Sequence, residues 1–229
     1  MAKQSVVTSG DPPLQRVIAV AGILFATLFV ASFALIHAAV PADPRDPGVW
    51  MTDPGLRRWV SLGLNLVPFA GIAFLWYMAV LRNHIGLLED RLLATVFLGS
   101  GLLFVATLFV CAGVSRGMLD DFGHLPNPGE DSAYRLARGI TYSLMNGFGM
   151  RMAAVFMFVT SSIGMKTGVF PRALSVVGFV FGAVLLASIA DFVWISLLFP
   201  LWALILSVYL LCSPLVPTPP TPTAPTPSL

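Results

Sequence analysis

Arg151 is the only charged residue in the run GITYSLMNGFGMRMAAVFMFVTSSIG, Gly139 to Gly164. A guanidinium carries five donors and a permanent positive charge. In apolar surroundings two uses are open to it. It can bond helix carbonyls and asparagine side chains and so fix a bundle, or it can hold an anion or a polar headgroup. Asp191 is the only other charge well inside an apolar run. Asn65 and Asn146, with Thr107 and Tyr142, offer polar groups at comparable depth. Arg151, Asp191, Asn65 and Asn146 therefore form the candidate polar site. An Arg151–Asp191 pair is not forced, because at helical rise the two lie about 9 Å apart in depth.

Other chemistry is sparse. Asp120, Asp121 and His124 sit close together in SRGMLDDFGHLPNPGEDSAYRLARG. Two carboxylates and an imidazole can bind a metal, but in a charged loop they read first as solvated side chains. His37, His84 and His124 are not placed inside facing helices, as a dihaem site needs. No lysine lies inside an apolar run, so a retinal Schiff base is excluded. The phosphate-cradling and GxGxxG loops are absent, as are GxSxG and HExxH. No catalytic residue, cofactor or metal is predicted. Cys111 and Cys212 form no CxxC pair and read as packing residues. Placed at opposite ends of their helices, they would be about 30 Å apart, beyond disulfide reach.

The elements that hold these residues follow from composition. Of 229 residues, 57% are hydrophobic and 10% charged, with mean hydropathy +0.85. A soluble domain carries about a quarter charged residues, so this chain reads as a polytopic membrane protein. Net charge is +2, too small to argue for nucleic acid. Only Lys3 and Lys166 are lysines among 13 basic residues. With abundant Ala, Val, Leu, Gly and Pro, that bias suggests a GC-rich bacterial genome.

About 20 apolar residues cross a bilayer core as a helix. Six segments qualify or nearly so: Val17–Val40, Trp59–Leu81, Leu92–Ser115, Gly139–Ile163, Ala173–Ala190 and Phe192–Cys212. The expectation is an all-α bundle of six transmembrane helices over residues 17–212, with short inner loops and two longer outer ones. Residues 1–16 form a cytoplasmic segment, and the Pro/Thr-rich residues 213–229 a disordered tail. The first apolar stretch has 24 residues, longer than the roughly 7–15 of a secretory signal, and is kept as a helix. Glu130 and Asp131, with Arg135 and Arg138 further on, mark a short helix feeding the fourth span. Loop charge gives six basic residues to each side. Short inner and long outer loops favour both termini in the cytoplasm.

Steps of four back from Arg151 reach Gly147, Ser143 and Gly139. Small residues on one face let helices approach closely in membranes. On this ground Arg151 is predicted to face protein. Gly178 and Gly182 on the next helix are the predicted mate, and Gly139, Ser143, Gly147, Gly178 and Gly182 the packing residues. Arg151 lies about 18 Å along the axis from Gly139, near mid-membrane. A charge facing lipid there costs about 2.5–3.5 kcal/mol on insertion scales.

The segments FPRALSVVGFVFGAVLL, LLFPLWALILSVYLL and GLLEDRLLATVFLGSGLLF resemble a group of multi-pass membrane proteins common in actinobacteria that carry no assigned activity. The resemblance spans much of residues 15–212. It implies an architecture and brings no catalytic residues. The expected object is a non-enzymatic integral protein of a bacterial plasma membrane, acting as an accessory or interaction subunit. The alternative is a small transporter or lipid- or anion-binding protein with its site around Arg151. The expected partners are the bilayer and other membrane subunits or a second copy, and no cofactor.

Overall fold

The computed structural model describes residues 12–41, 46–85, 91–122, 125, 128–169, 171–187 and 193–212. All regular elements among them are helical. They are α1 (Pro12–Ala39), α2 (Pro54–Ile85), α3 (Arg91–Phe122), α4 (Ser132–Tyr142), α5 (Met150–Thr167), α6 (Arg172–Ala187) and α7 (Leu198–Cys212). A π-helical turn, Ser143–Gly149, joins α4 to α5 without a break. Short 3-10 turns cover Val49–Thr52, Pro128–Glu130 and Val193–Leu197.

Each predicted span has a helix. Five stretches are long and apolar enough to cross a membrane: Arg16–Ala39, Pro54–Asn83, Arg91–Phe122, Ser132–Thr167 and Trp194–Cys212. The sixth, α6, has 16 residues, about 24 Å at helical rise. Inside lipid a helix bonds its own backbone, so these apolar runs have no other regular option. The helix ends follow local chemistry. Asp53 precedes Pro54 and its Oδ1 accepts from Gly55 N at 2.7 Å, an N-cap with proline at the first helical position. This moves the start of α2 five residues ahead of the predicted Trp59. Asp131 caps α4, accepting from Ala133 N at 2.7 Å, so the short helix predicted from the loop is present. Gly168, at φ 69°, closes α5 by donating to Gly164 O, a left-handed C-cap.

α1 packs along α2 and α7, α3 lies against α2 and α5, and α6 pairs with α5. Where five of these helices converge, six phenylalanines meet: Phe25, Phe29, Phe74, Phe104, Phe156 and Phe199. Centroids stand 4.9 Å apart for Phe25–Phe74 and Phe104–Phe199, and 5.2 Å for Phe74–Phe156. All three pairs are tilted or edge-on, the arrangement the ring quadrupole prefers. A second, smaller cluster holds Trp50, Met51, Val60, Leu64, Met118, Leu119 and Tyr134 at the end where α1 finishes and α2 begins. The outside of the bundle carries large apolar side chains, among them Phe69, Trp76 and Phe148, each more than 60% exposed. That exterior suits lipid.

Gly178 and Gly182 are packing residues. A Cβ on Gly178 would collide with Ser161 Oγ and lie 2.7 Å from Trp202 Nε1, and one on Gly182 would lie 3.3 Å from Ala154 O. Their mates on α5 are Ala154 and Ser161. The expectation for Gly139, Ser143 and Gly147 is corrected. Gly139 and Ser143 are exposed. A Cβ on Gly139 would meet nothing, and one on Gly147 only the Arg151 side chain, at 3.6 Å.

Candidate functional site

The two apolar clusters leave a gap between them. It is a cavity of about 220 Å³ walled by α1, α2, α3 and the α4–π segment. On α1 its wall runs from Phe29 to Val40, about 16 Å of axis. That volume spread over that depth is a slot, the shape of a chain. Its deep end is apolar, formed by Phe29, Val67, Ala70 and Leu108. At the opposite end are His37, Ser115, Trp50 and Arg138.

Arg138 is a largely covered cation on this wall. Its side chain is 12% exposed. Nη2 donates to Pro41 O at 3.0 Å and stands 3.9 Å from Asp46 Oδ2, at the limit of an ion pair. Four-residue steps place Tyr134, Arg138, Tyr142 and Asn146 in one inward stripe. Tyr134 is fully buried, and Tyr142 and Asn146 are half-buried on the cavity wall. The Tyr134 hydroxyl faces the Trp50 indole and the Arg138 guanidinium. His37 stacks on Phe33 with centroids 4.0 Å apart, and its Nδ1 is 3.0 Å from Phe33 O.

The segment 46–52 closes over this end. Gly48 takes φ 79°, a left-handed conformation that costs other residues about 1–2 kcal/mol. A Cβ there would also lie 2.6 Å from the Tyr134 hydroxyl. Glycine lets the strap reach Tyr134. Asp46 Oδ2 in turn accepts from Gly48 N at 3.0 Å, which holds the carboxylate beside Arg138.

Of the predicted polar site, one member lines the cavity. Asn146 is on the wall, with Nδ2 donating to Tyr142 O at 3.2 Å inside the widened turn. Asn65 is exposed on the outside of α2. Asp191 lies outside the described residues. Arg151 is exposed, and Nη1 donates to its own helix at Gly147 O. The expectation that it faces the bundle interior is corrected. The physical reason is angular: the stripe of small residues is already exposed at Gly139 and Ser143, and the π-helical turn Ser143–Gly149 keeps its four-residue steps on that outer side. The stripe that ends at Arg151 is one residue off the inward stripe that holds Arg138.

No family model, curated protein or solved structure matches this chain. Its site is defined by its own residues. Sequence reasoning missed Arg138 because it started the fourth span at Gly139 and put Arg138 on a short outer helix before the span, as a partner of the helix dipole. The signal that could have found it is Tyr134-x₃-Arg138-x₃-Tyr142-x₃-Asn146, polar groups recurring on one helix face. Of the other candidates, Asp120 and Asp121 lie in the last turn of α3, and His124 lies outside the described residues. Asp120 pairs with Arg116 at 3.3 Å, both exposed. Among the described residues no His/Cys/Asp/Glu group is arranged to hold a metal. Cys111 is buried, with Sγ 3.6 Å from Thr141 O, and Cys212 is exposed; both are free thiols.

Proposed function

We propose that this chain is a non-enzymatic integral membrane protein whose cavity takes a single-chain amphiphile with an anionic head. In this account six helices cross a bacterial plasma membrane, α6 being the short one, and both termini are cytoplasmic. The apolar chain enters the slot toward Phe29, Val67, Ala70 and Leu108. The head stays at Arg138. The observation that carries this is a 12%-exposed guanidinium on the wall of an otherwise mostly apolar slot. Ligand sites have that composition: an apolar lining with a few placed polar groups. Charge-assisted bonds to a guanidinium are the strong ones. Asp46, 3.9 Å from Arg138 Nη2, competes with an anionic head for the same charge. The chain therefore binds with a built-in penalty that one substitution removes.

The test uses a mid-chain brominated fatty acid and the fluorescence of Trp50, which lines the slot. A variant with Trp59, Trp76 and Trp194 changed to Phe removes the exposed indoles. Saturable quenching that vanishes in Trp50→Phe is expected. A brominated alcohol of the same length should bind about tenfold or more weakly. Arg138→Gln should equalise acid and alcohol. Quenching that is not saturable, or equal affinity of acid and alcohol for the unmodified slot, contradicts the proposal.

A further inference from the structure

The exposed face of the same helical stretch carries a separate charge. Arg151 is exposed on the bundle exterior, and the hydrogen bond it makes is to its own Gly147 carbonyl. It stands thirteen residues from Arg138 and fifteen from Lys166, about 20 and 22 Å along the axis. That is mid-membrane, where a lipid-facing charge is costly and marks function. Among the described residues, no carboxylate forms an ion pair with it. We infer that the outward face of Gly139, Ser143, Gly147 and Arg151 docks a transmembrane helix of another protein that carries an aspartate or glutamate at mid-depth.

On the same face, about two turns before Arg151, the surface has the relief such a helix needs. Gly139 and Ser143 floor a shallow depression bounded by Arg135, Leu136, Ile140 and Leu144. Leu136, Ile140 and Phe148 rise beside it, 65%, 43% and 63% exposed. Small residues on a membrane helix let a second backbone approach; nothing in the described chain lies over Gly139, and only the Arg151 side chain comes near Gly147. Charge selects the occupant. A second copy, related by a two-fold axis along the membrane normal, would set Arg151 against Arg151. Lipid headgroups do not reach mid-depth. A carboxylate on a different helix neutralises the guanidinium and is itself neutralised, so each removes the other's insertion cost. This surface does not share a residue with the cavity, which the inward stripe of Arg138, Tyr142 and Asn146 lines.

The probe is a single-span Leu/Ala peptide with a Gly-x₃-Gly face and a central Glu, with a central-Gln peptide as control. Association with the full chain in nanodiscs is read by energy transfer. The Glu peptide should associate about tenfold or more tightly than the Gln peptide. Arg151→Met should abolish that difference. Ser143→Leu, which fills the depression and leaves the charge, should weaken both peptides. A central-Lys peptide should bind Arg151→Glu better than the original chain. Equal binding of Glu and Gln peptides overturns the inference. So does self-association of the chain through a Ser143→Cys cross-link. A tenfold gain in Glu-peptide binding by Asp191→Asn also overturns it, because the chain's own carboxylate would then be the occupant.

Discussion

Arg138 and Arg151 sit on one continuous helical stretch, Ser132–Thr167, and meet opposite surroundings. Arg138 points inward, 12% exposed, bonded to Pro41 O and beside Asp46. Arg151 points outward, with its own Gly147 carbonyl as acceptor. Arg151 belongs to the stripe one residue after that of Arg138, about 100° further round the helix, so the two do not share a face. The difference teaches that a charge in an apolar run is placed by angular register, and that small residues beside it do not tell in from out. Gly178 is a small residue because Ser161 and Trp202 occupy its Cβ position. Gly139 is small with open space above it.

The contrast is open to attack by substitution. The largest effect should come from Gly178→Leu. Forcing a side chain into Ser161 and Trp202 should cost about 1–3 kcal/mol or more, read as a shift in the SDS unfolding midpoint. Gly139→Leu, at the open position, should stay within about 0.5 kcal/mol. Equal losses would erase the distinction between the two faces.

Arg138→Met comes next. It removes the donor to Pro41 O and leaves Asp46, whose side chain is as little exposed as that of Arg138, without its cation, and should cost about 1–3 kcal/mol. Arg151→Met, in the isolated protein, should leave the same midpoint unchanged or raised, since it removes a lipid-facing charge. A reversed order would mean that the inward and outward assignments are exchanged.

Gly48→Ala should cost about 1–2 kcal/mol and loosen the strap over Arg138, seen as faster hydrogen exchange at residues 48–52. The smallest effect is expected from Asp46→Asn. It should leave the fold intact and raise affinity for the brominated fatty acid a few-fold, because the competing carboxylate is gone. A fall in affinity would show that Asp46 positions Arg138 for the ligand.

Much of the bundle was legible because lipid permits few alternatives. Each apolar run holds a helix, five of them in stretches long enough to cross a membrane, and Asp131 with its following residues gave α4. Gly178-x₃-Gly182 was legible as a packing pair because close approach demands small residues. The candidate site was less so. Asn146 was found, but Arg138 was assigned to a short helix outside the span, since charge alone does not say whether a residue caps a span or lies within one. The π turn was hidden as well. Met150 N donates to Met145 O, five residues back, which widens the helix and offsets the drift of a four-residue stripe. Asn146, Gly147 and Gly149 are poor helix formers, yet composition does not distinguish a π turn from a break. The inward stripe of Tyr134, Arg138, Tyr142 and Asn146 stays on the bundle side up to this turn. The stripe one residue later stays outside.

The assignment of faces is tested most directly by spin labels on the purified protein in nanodiscs. Cys111 and Cys212 are first changed to Ala. Labels are then placed singly through Arg151→Cys and Asn146→Cys, and collision with oxygen and with a polar nickel chelate is measured. The account predicts high oxygen and low nickel access at 151, the signature of an acyl-chain environment, and low access to both at 146. A shielded label at 151 together with an acyl-chain signature at 146 would contradict it.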